Sequence, residues 1–142
     1  MANAIKWTSA TARTTGISAA SLAAGANLLS SAIDNSTNKD RFLALELQFT
    51  CSTAPSAGKA VEVYVLYSLD GTNYEDGDAT PTDPAKGPNE AFLARAVTTA
   101  QRQTKVDIPI SPFAFKILLK SELDQAASSV TLTAYTYNEE IQ

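Results

Sequence analysis

The sequence predicts an all-β chain built as an antiparallel β-sandwich, with a jelly roll among the forms open to it. Three stretches carry that expectation. In residues 41–51, Leu43, Leu45, Leu47, Phe49 and Cys51 recur at every second position, opposed by Phe42, Ala44, Glu46, Gln48 and Thr50. In residues 61–68, Val61, Val63, Val65 and Tyr67 do the same, and in residues 113–120 so do Phe113, Phe115, Ile117 and Leu119. A period of two puts alternate side chains on opposite faces of a strand, so each stretch offers one apolar face to a core. Strands separated by turn-rich loops, with no βαβ rhythm, point to two stacked antiparallel sheets.

The first 36 residues form a segment of their own, with residues 37–142 as the sandwich domain. Ala, Ser and Thr supply 20 of those 36 residues, and Lys6, Arg13 and Asp34 are the only charges. Leu22, Ala26 and Leu29 have helical spacing, which argues for a short helix over 19–30; Gly25 and the serine content argue against it. The alternation of Leu28, Ser30 and Ala32 offers extended chain instead. The segment is therefore expected to be extended or partly helical, serving as a first strand or as an arm onto a neighbouring subunit. Residues 35–40 make a polar turn, whose Asn35-Ser36-Thr37 sequon matters only in a secreted eukaryotic protein.

After the strand over 41–51, Pro55 and Gly58 mark a loop. The strand over 61–68 ends at Asp70-Gly71, where glycine accepts positive φ and aspartate bonds nearby backbone. Its second face carries Tyr64 and Leu66, so that side is expected to be covered too. Residues 72–90 form a long loop, and loops of that length are usually functional or mobile. Short strands follow over 92–97 and 104–110, the latter with Val106 and Ile108 on one side and Pro109 ending regular pairing. Leu123 is a candidate plug in the turn over 121–128. The last strand, 129–137, alternates Val130, Leu132, Ala134 and Thr136 with Thr131, Thr133, Tyr135 and Tyr137.

At 142 residues the chain is the size of one ordinary domain that can bury a core without staples. Charged residues are 18% of the chain, against about 25% in typical soluble domains. Together with a net charge of −4, this disfavours nucleic-acid and anionic-membrane binding, which call for clustered lysine and arginine. With one cysteine, no intrachain disulfide can form, and Cys51 reads as a small buried hydrophobe. Histidine is absent, which removes the commonest zinc ligand and the commonest neutral-pH base. No apolar run is long enough to span a membrane, and the N-terminal residues do not read as a signal peptide, so maturation in the producing cell's cytoplasm is expected.

Chemistry-bearing patterns are few. Asp70, Glu75, Asp76, Asp78, Asp83 and Glu90 gather within 21 residues with Lys86 as the only base. Oxygen-rich loops can hold calcium, but Thr72 and Tyr74 break the EF-hand spacing, so a solvated or partner-facing loop is the better expectation. Nothing fixes a carboxylate pair across a cleft for glycoside hydrolysis, and Glu46 and Glu62 read as solvated strand residues. Neither an enzyme activity nor a cofactor is expected. Aromatic residues with polar handles suit subunit interfaces and sugar-binding faces alike. The candidate partner-contact residues are accordingly Trp7, Tyr64, Tyr74, Asp76, Asp78, Tyr135 and Tyr137. Arg102 and Lys105 could pair with an acidic loop across such an interface.

The segment LYSLDGTNYEDG, the following Pro-rich loop, FLARAV and FAFKILLKSELDQAASSVTLTAYTY together resemble virion proteins of tailed bacteriophages. The similarity covers roughly residues 41–137, and the strand, DGT-x-Y, loop, strand pattern also occurs in secreted sugar-binding and fibronectin-like modules. The resemblance implies a small β-sandwich structural protein that decorates heads or builds neck and tail rings. Its partners would be the major capsid protein or other virion proteins, its place the virion assembled in the host cytoplasm, and its state a homo-oligomer. It carries no catalytic residues to transfer. A carbohydrate-binding or host-adhesion module is the rival expectation.

Overall fold

The computed structural model describes residues 4–76 and 82–141. Its described residues form eleven strands: β1 (Ile5–Trp7), β2 (Thr11–Arg13), β3 (Ala20–Leu22), β4 (Asn27–Leu29), β5 (Phe42–Cys51), β6 (Ala60–Ser68), β7 (Glu90–Leu93), β8 (Gln101–Pro109), β9 (Ala114–Ser121), β10 (Ala127–Tyr137) and β11 (Glu139–Ile141). They make three antiparallel sheets. One runs β2-β10-β5-β8 with β3 also on β10, the second runs β4-β9-β6-β7, and β1 pairs β11 in a two-stranded ribbon. The two larger sheets pack face to face.

The period-two residues meet between those sheets. Leu43, Leu45, Leu47, Phe49 and Cys51 face Val61, Val63, Val65, Phe115, Ile117 and Leu119 in one buried cluster, completed by Val130, Leu132 and Ala134. Inner faces of this kind interdigitate across a core about 10 Å thick. Leu123, the candidate plug, belongs to the same cluster at 3% exposure.

The strand pairings have a regular order. β3 pairs β10, β4 pairs β9, β5 pairs β8 and β6 pairs β7. The pairs β10–β5 and β6–β9 then join these ribbons into sheets.

The N-terminal segment belongs to this framework. Of the two forms open to residues 19–30, the extended one is found: Ala20–Leu22 and Asn27–Leu29 are strands. Gly25, at φ 70°, turns the chain from one sheet to the other. Helical propensity is weak in this run, and long-range pairing with β10 and β9 supplies tertiary packing that a short helix, marginal by itself, would lack. Ile17, Leu22 and Ile33 lie in the common core. Between the two sheets, Ser31 N–H donates to Thr15 O at 2.6 Å, closing one side of the sandwich.

Two inward assignments are corrected. Val106 does not share the face of Ile108: it is 63% exposed while Ile108 is 3% exposed. The register of β5 with β8 shifts between Leu43 and Leu45, and Asp107 takes a left-handed φ of 58°. That extra residue is a β-bulge, which reverses the side-chain alternation beyond it. Phe113 lies just before β9, outside the ladder, and is 38% exposed.

A buried polar network ties the ends together. Arg13 on β2 meets Asp40 at 3.1 Å, and its Nε donates to Thr136 Oγ1 at 2.7 Å. The Thr136 hydroxyl in turn donates to Asp40 Oδ2. Asn35, wholly buried, donates to Asp40 O and Ser111 O and accepts from Asp40 N–H. The sequon asparagine is thus a structural staple whose amide nitrogen is already committed.

Candidate functional site

The described residues of the long loop cover a sheet edge. β7 pairs β6 only from Ala60 to Val63, and among the described residues no strand pairs the rest of that edge of β6. The loop fills the gap with side chains: Asn89 Oδ1 accepts from Val65 N–H at 2.8 Å, Glu75 Oε2 accepts from Tyr67 N–H at 2.8 Å, and Lys86 Nζ donates to Val65 O. An open edge is a template for unwanted pairing, and this one is capped.

Its carboxylates are mostly engaged. Asp70 accepts from the Thr72 and Asn73 N–H groups, the Asn73 amide and the Ser68 hydroxyl. Those bonds, led by the ones from Asn73, hold its carboxyl far below the usual carboxylate range. Glu75 pairs Lys86 at 2.7 Å. Asp83 reaches Lys120 at 3.1 Å and the Asn27 amide at 3.3 Å, which lowers its pKa in that order of effect. Glu90 pairs Lys105 at 3.4 Å, and Arg102 pairs Glu46 at 2.8 Å. Arg102 and Lys105 therefore find their acids within the chain, because β8 lies beside β5 and near β7. Among the described residues no group of three or more potential ligands could hold a metal ion.

Tyr64 lies largely covered within the chain. It is 5% exposed and packs with Leu66 and Leu118 in a second cluster on the outer face of the β4-β9-β6-β7 sheet. Its hydroxyl donates to Glu62 at 2.6 Å. Burial first, and then that hydrogen bond, push its pKa up to about 12. Tyr74 is half-buried, its ring 4.3 Å from the Lys116 ammonium. Asp76 is exposed at the loop, and Asp78 lies outside the described residues.

Because Tyr64 resists ionisation when folded and ionises near 10 when unfolded, it adds stability that is complete below pH 10 and lost as pH rises through 12. Ultraviolet titration of the folded protein should show a tyrosine that ionises well after the exposed ones. In Tyr64→Phe that late step should vanish and the alkaline loss of stability should begin less steeply.

The remaining candidates, Trp7, Tyr135 and Tyr137, come together on the outer face of the other sheet. Tyr137 on β10 stands next to Phe42 on β5, centroids 5.7 Å apart, and Trp7 sits edge-on to both at 5.5 Å. Such pairs add about 0.5–1.5 kcal/mol each beyond burial. They anchor the β1–β11 ribbon, which would be marginal alone. Asn138 assists: its carbonyl accepts from Thr8 N–H and its side chain from Arg41 N–H. Trp7 nonetheless stays 56% exposed, with Ile5 at 71% and Ile141 at 73% beside it on the ribbon.

Across β5, the Tyr137 hydroxyl donates to Asp107 Oδ1 at 2.6 Å and accepts from Asp107 N–H at 2.8 Å. This pins the bulge that turns Val106 outward. Val106 becomes a ridge between two grooves. One, of about 350 Å³, is lined by Trp7, Thr8, Ala10, Ala44, Asp107 and Tyr137. The other, of about 170 Å³, is lined by Ala44, Thr104, Thr133, Tyr135 and the Arg102–Glu46 pair. Val106 and Ala44 are not among the contact residues that the sequence suggests, although Phe42 and Ala44 face outward in the period-two pattern. An aromatic on an outward face beside small residues was the available signal.

Comparison with protein-family models, curated proteins and solved structures finds no match.

Proposed function

We propose that the chain is a non-enzymatic structural protein of a tailed-phage virion, a jelly roll that binds other virion proteins through the Trp7–Tyr135–Tyr137 face. The observation that carries this reading is the exposed aromatic and aliphatic surface built on a rigid sheet: Trp7 at 56%, Val106 at 63% and Tyr135 at 40% exposure. Aromatic anchors with few charges are the mark of an interface centre. The pairing of β3 to β6 with β10 to β7 in reverse order supports the jelly-roll form, an architecture shared by viral capsid and lectin domains. The sequence resemblance to phage virion proteins points the same way. Head decoration is the favoured place, with a connector or tail ring next.

The test uses undecorated heads of the virus whose genome encodes the chain. The chain should cosediment saturably with them and raise their thermal stability. Trp7, the only tryptophan, should shift its emission to the blue as its ring leaves water. Heads that bind none of the chain, with rings forming in its own solutions, would move the assignment to the connector.

Because the larger groove sets Trp7 beside Asp107, Thr8 and Tyr137, a sugar-binding reading stays in second place. Saturable glycan binding lost in Trp7→Ala, without head binding, would put it first.

A further inference from the structure

We infer that the β1–β11 ribbon is a strap that opens and closes over the outer face as a unit while the sandwich stays folded, and that it gates the larger groove. Its bearing on binding rests on the reading of the Trp7 face as a docking surface.

The register marks where the strap begins. β2 pairs β10 with Thr11 opposite Thr136, and β1 pairs β11 with Trp7 opposite Glu139. Thr8 N–H donates to Asn138 O at 2.8 Å, which continues the β1–β11 register by one position. Ser9 and Ala10 together therefore stand against Tyr137 alone. Two residues against one is a β-bulge, and a bulge bends its ladder. Past this bend the ribbon folds over the sheet, so that Trp7 lies against Phe42 of β5, with β10 between β5 and β2.

On the sandwich side of the bend the chain is interlocked. Asn138 N–H donates to Thr8 Oγ1 at 2.8 Å, and Asn138 Oδ1 accepts from Arg41 N–H. Tyr137 is held by its two bonds to Asp107. Beyond the bend, all three residues of each ribbon strand are exposed, and none belongs to the buried core. The Trp7 ring seats the ribbon edge-on to Phe42 and Tyr137, and the exposed Arg41–Glu139 pair adds a contact at 3.9 Å. Surface ion pairs contribute little, and a two-stranded ribbon is marginal by itself. Opening thus loses the ribbon's own pairing and the seat of Trp7, and it leaves the core cluster and the Arg13–Asp40 network in place. Elements with few buried contacts open locally at far lower free energy than the whole fold.

The gate follows from the lining of the larger groove. Trp7 and Thr8 form one wall, while Ala44, Val106, Asp107 and Tyr137 belong to the sheet. Lifting the strap removes the Trp7 wall, so an occupant of the groove binds the closed form and holds it shut.

NMR of the full chain tests this. Bonded pairs alternate along an antiparallel ladder, so the bond at Thr8 and Asn138 places the next bonded pair at Lys6 and Glu140. The amides of Lys6 and Glu140 should be alike in protection against hydrogen exchange, and about 100-fold or more below the bonded amides of β5. Their exchange should hardly respond to urea, since opening exposes little surface. Trp7, the only tryptophan, gives one indole N–H resonance, set by the rings of Phe42 and Tyr137. In Glu140→Pro, which removes a bonded amide of the ribbon, that resonance should move to its unfolded position without urea, while β5 keeps its protection. Ribbon amides protected as well as β5, unlike protection of Lys6 and Glu140, an unmoved indole resonance, or a loss of β5 protection in the variant would each overturn the strap. Glu140→Pro should also bind heads about tenfold or more weakly, because the closed form becomes the minor one, and unchanged affinity would overturn the gate. A wild type that meets the exchange expectations and binds no heads removes the docking reading and keeps the strap. A wild type that binds heads with its ribbon as protected as β5 does the reverse.

Discussion

Phe115→Ala should destabilise the protein by about 3–5 kcal/mol, the range for truncating a fully buried aromatic. Phe115 is wholly buried at the start of β9, edge-on to Tyr67 at 6.2 Å, and its backbone forms an isolated bridge with Ile33. The ring thus fills space between β6, β9 and the N-terminal segment. Those elements cannot all close on an alanine, so most of the cavity should persist. Urea denaturation should show a lower midpoint with an unchanged slope, since the surface exposed on unfolding stays nearly the same. Phe113→Ala supplies the contrast. That side chain is 38% exposed and should cost well under half as much, although the two phenylalanines sit two residues apart in one apolar pattern.

Asp40→Ala should cost about 3 kcal/mol, because it strands Arg13 and the Thr136 hydroxyl in a largely buried setting. Arg13 and Asp40 side chains are 16% and 11% exposed, so solvent relieves little of the unpaired charge. Removing one member of a buried pair is far more harmful than removing both. The double variant Arg13→Met with Asp40→Ala should therefore recover part of the loss. Chemical denaturation of the four chains in a double-mutant cycle measures the coupling, and additive losses would mean that the pair contributes no mutual stabilisation.

The central strands were legible because burial on one face enforces alternation, and β5, β6, β9 and β10 each have one face against the core. Legibility failed where pairing depends on partners distant in the chain. β3 and β4 are three-residue strands of Ala, Ser, Asn and Leu, and only their pairing with β10 and β9 makes them extended. Val106 was misassigned because one left-handed residue resets the alternation, although aspartate is among the types that enter that region most readily. Tyr64 packs beneath Leu29 of β4, a neighbour that no periodicity reveals, because β4 is set in place only by its pairing with β9. Trp7 and Tyr137 could be named as aromatics, but 130 positions separate them, and their edge-to-face contact follows from β1 pairing with β11.

The reverse-order pairing of the strands also dictates when the fold can form. β2 and β3 wait for β10, β4 waits for β9, and Ile5 finds its partner at Ile141. Loop closure over such spans precedes any stabilising contact, which places chains of this kind among the slow folders, on scales of milliseconds to seconds. During synthesis at about 5–20 residues per second, the N-terminal third emerges many seconds before its partners exist. An exposed apolar strand would aggregate in that interval. The Ala, Ser and Thr that dilute the first 36 residues, and obscured their strands, keep this segment soluble while it waits for its place in the sheet.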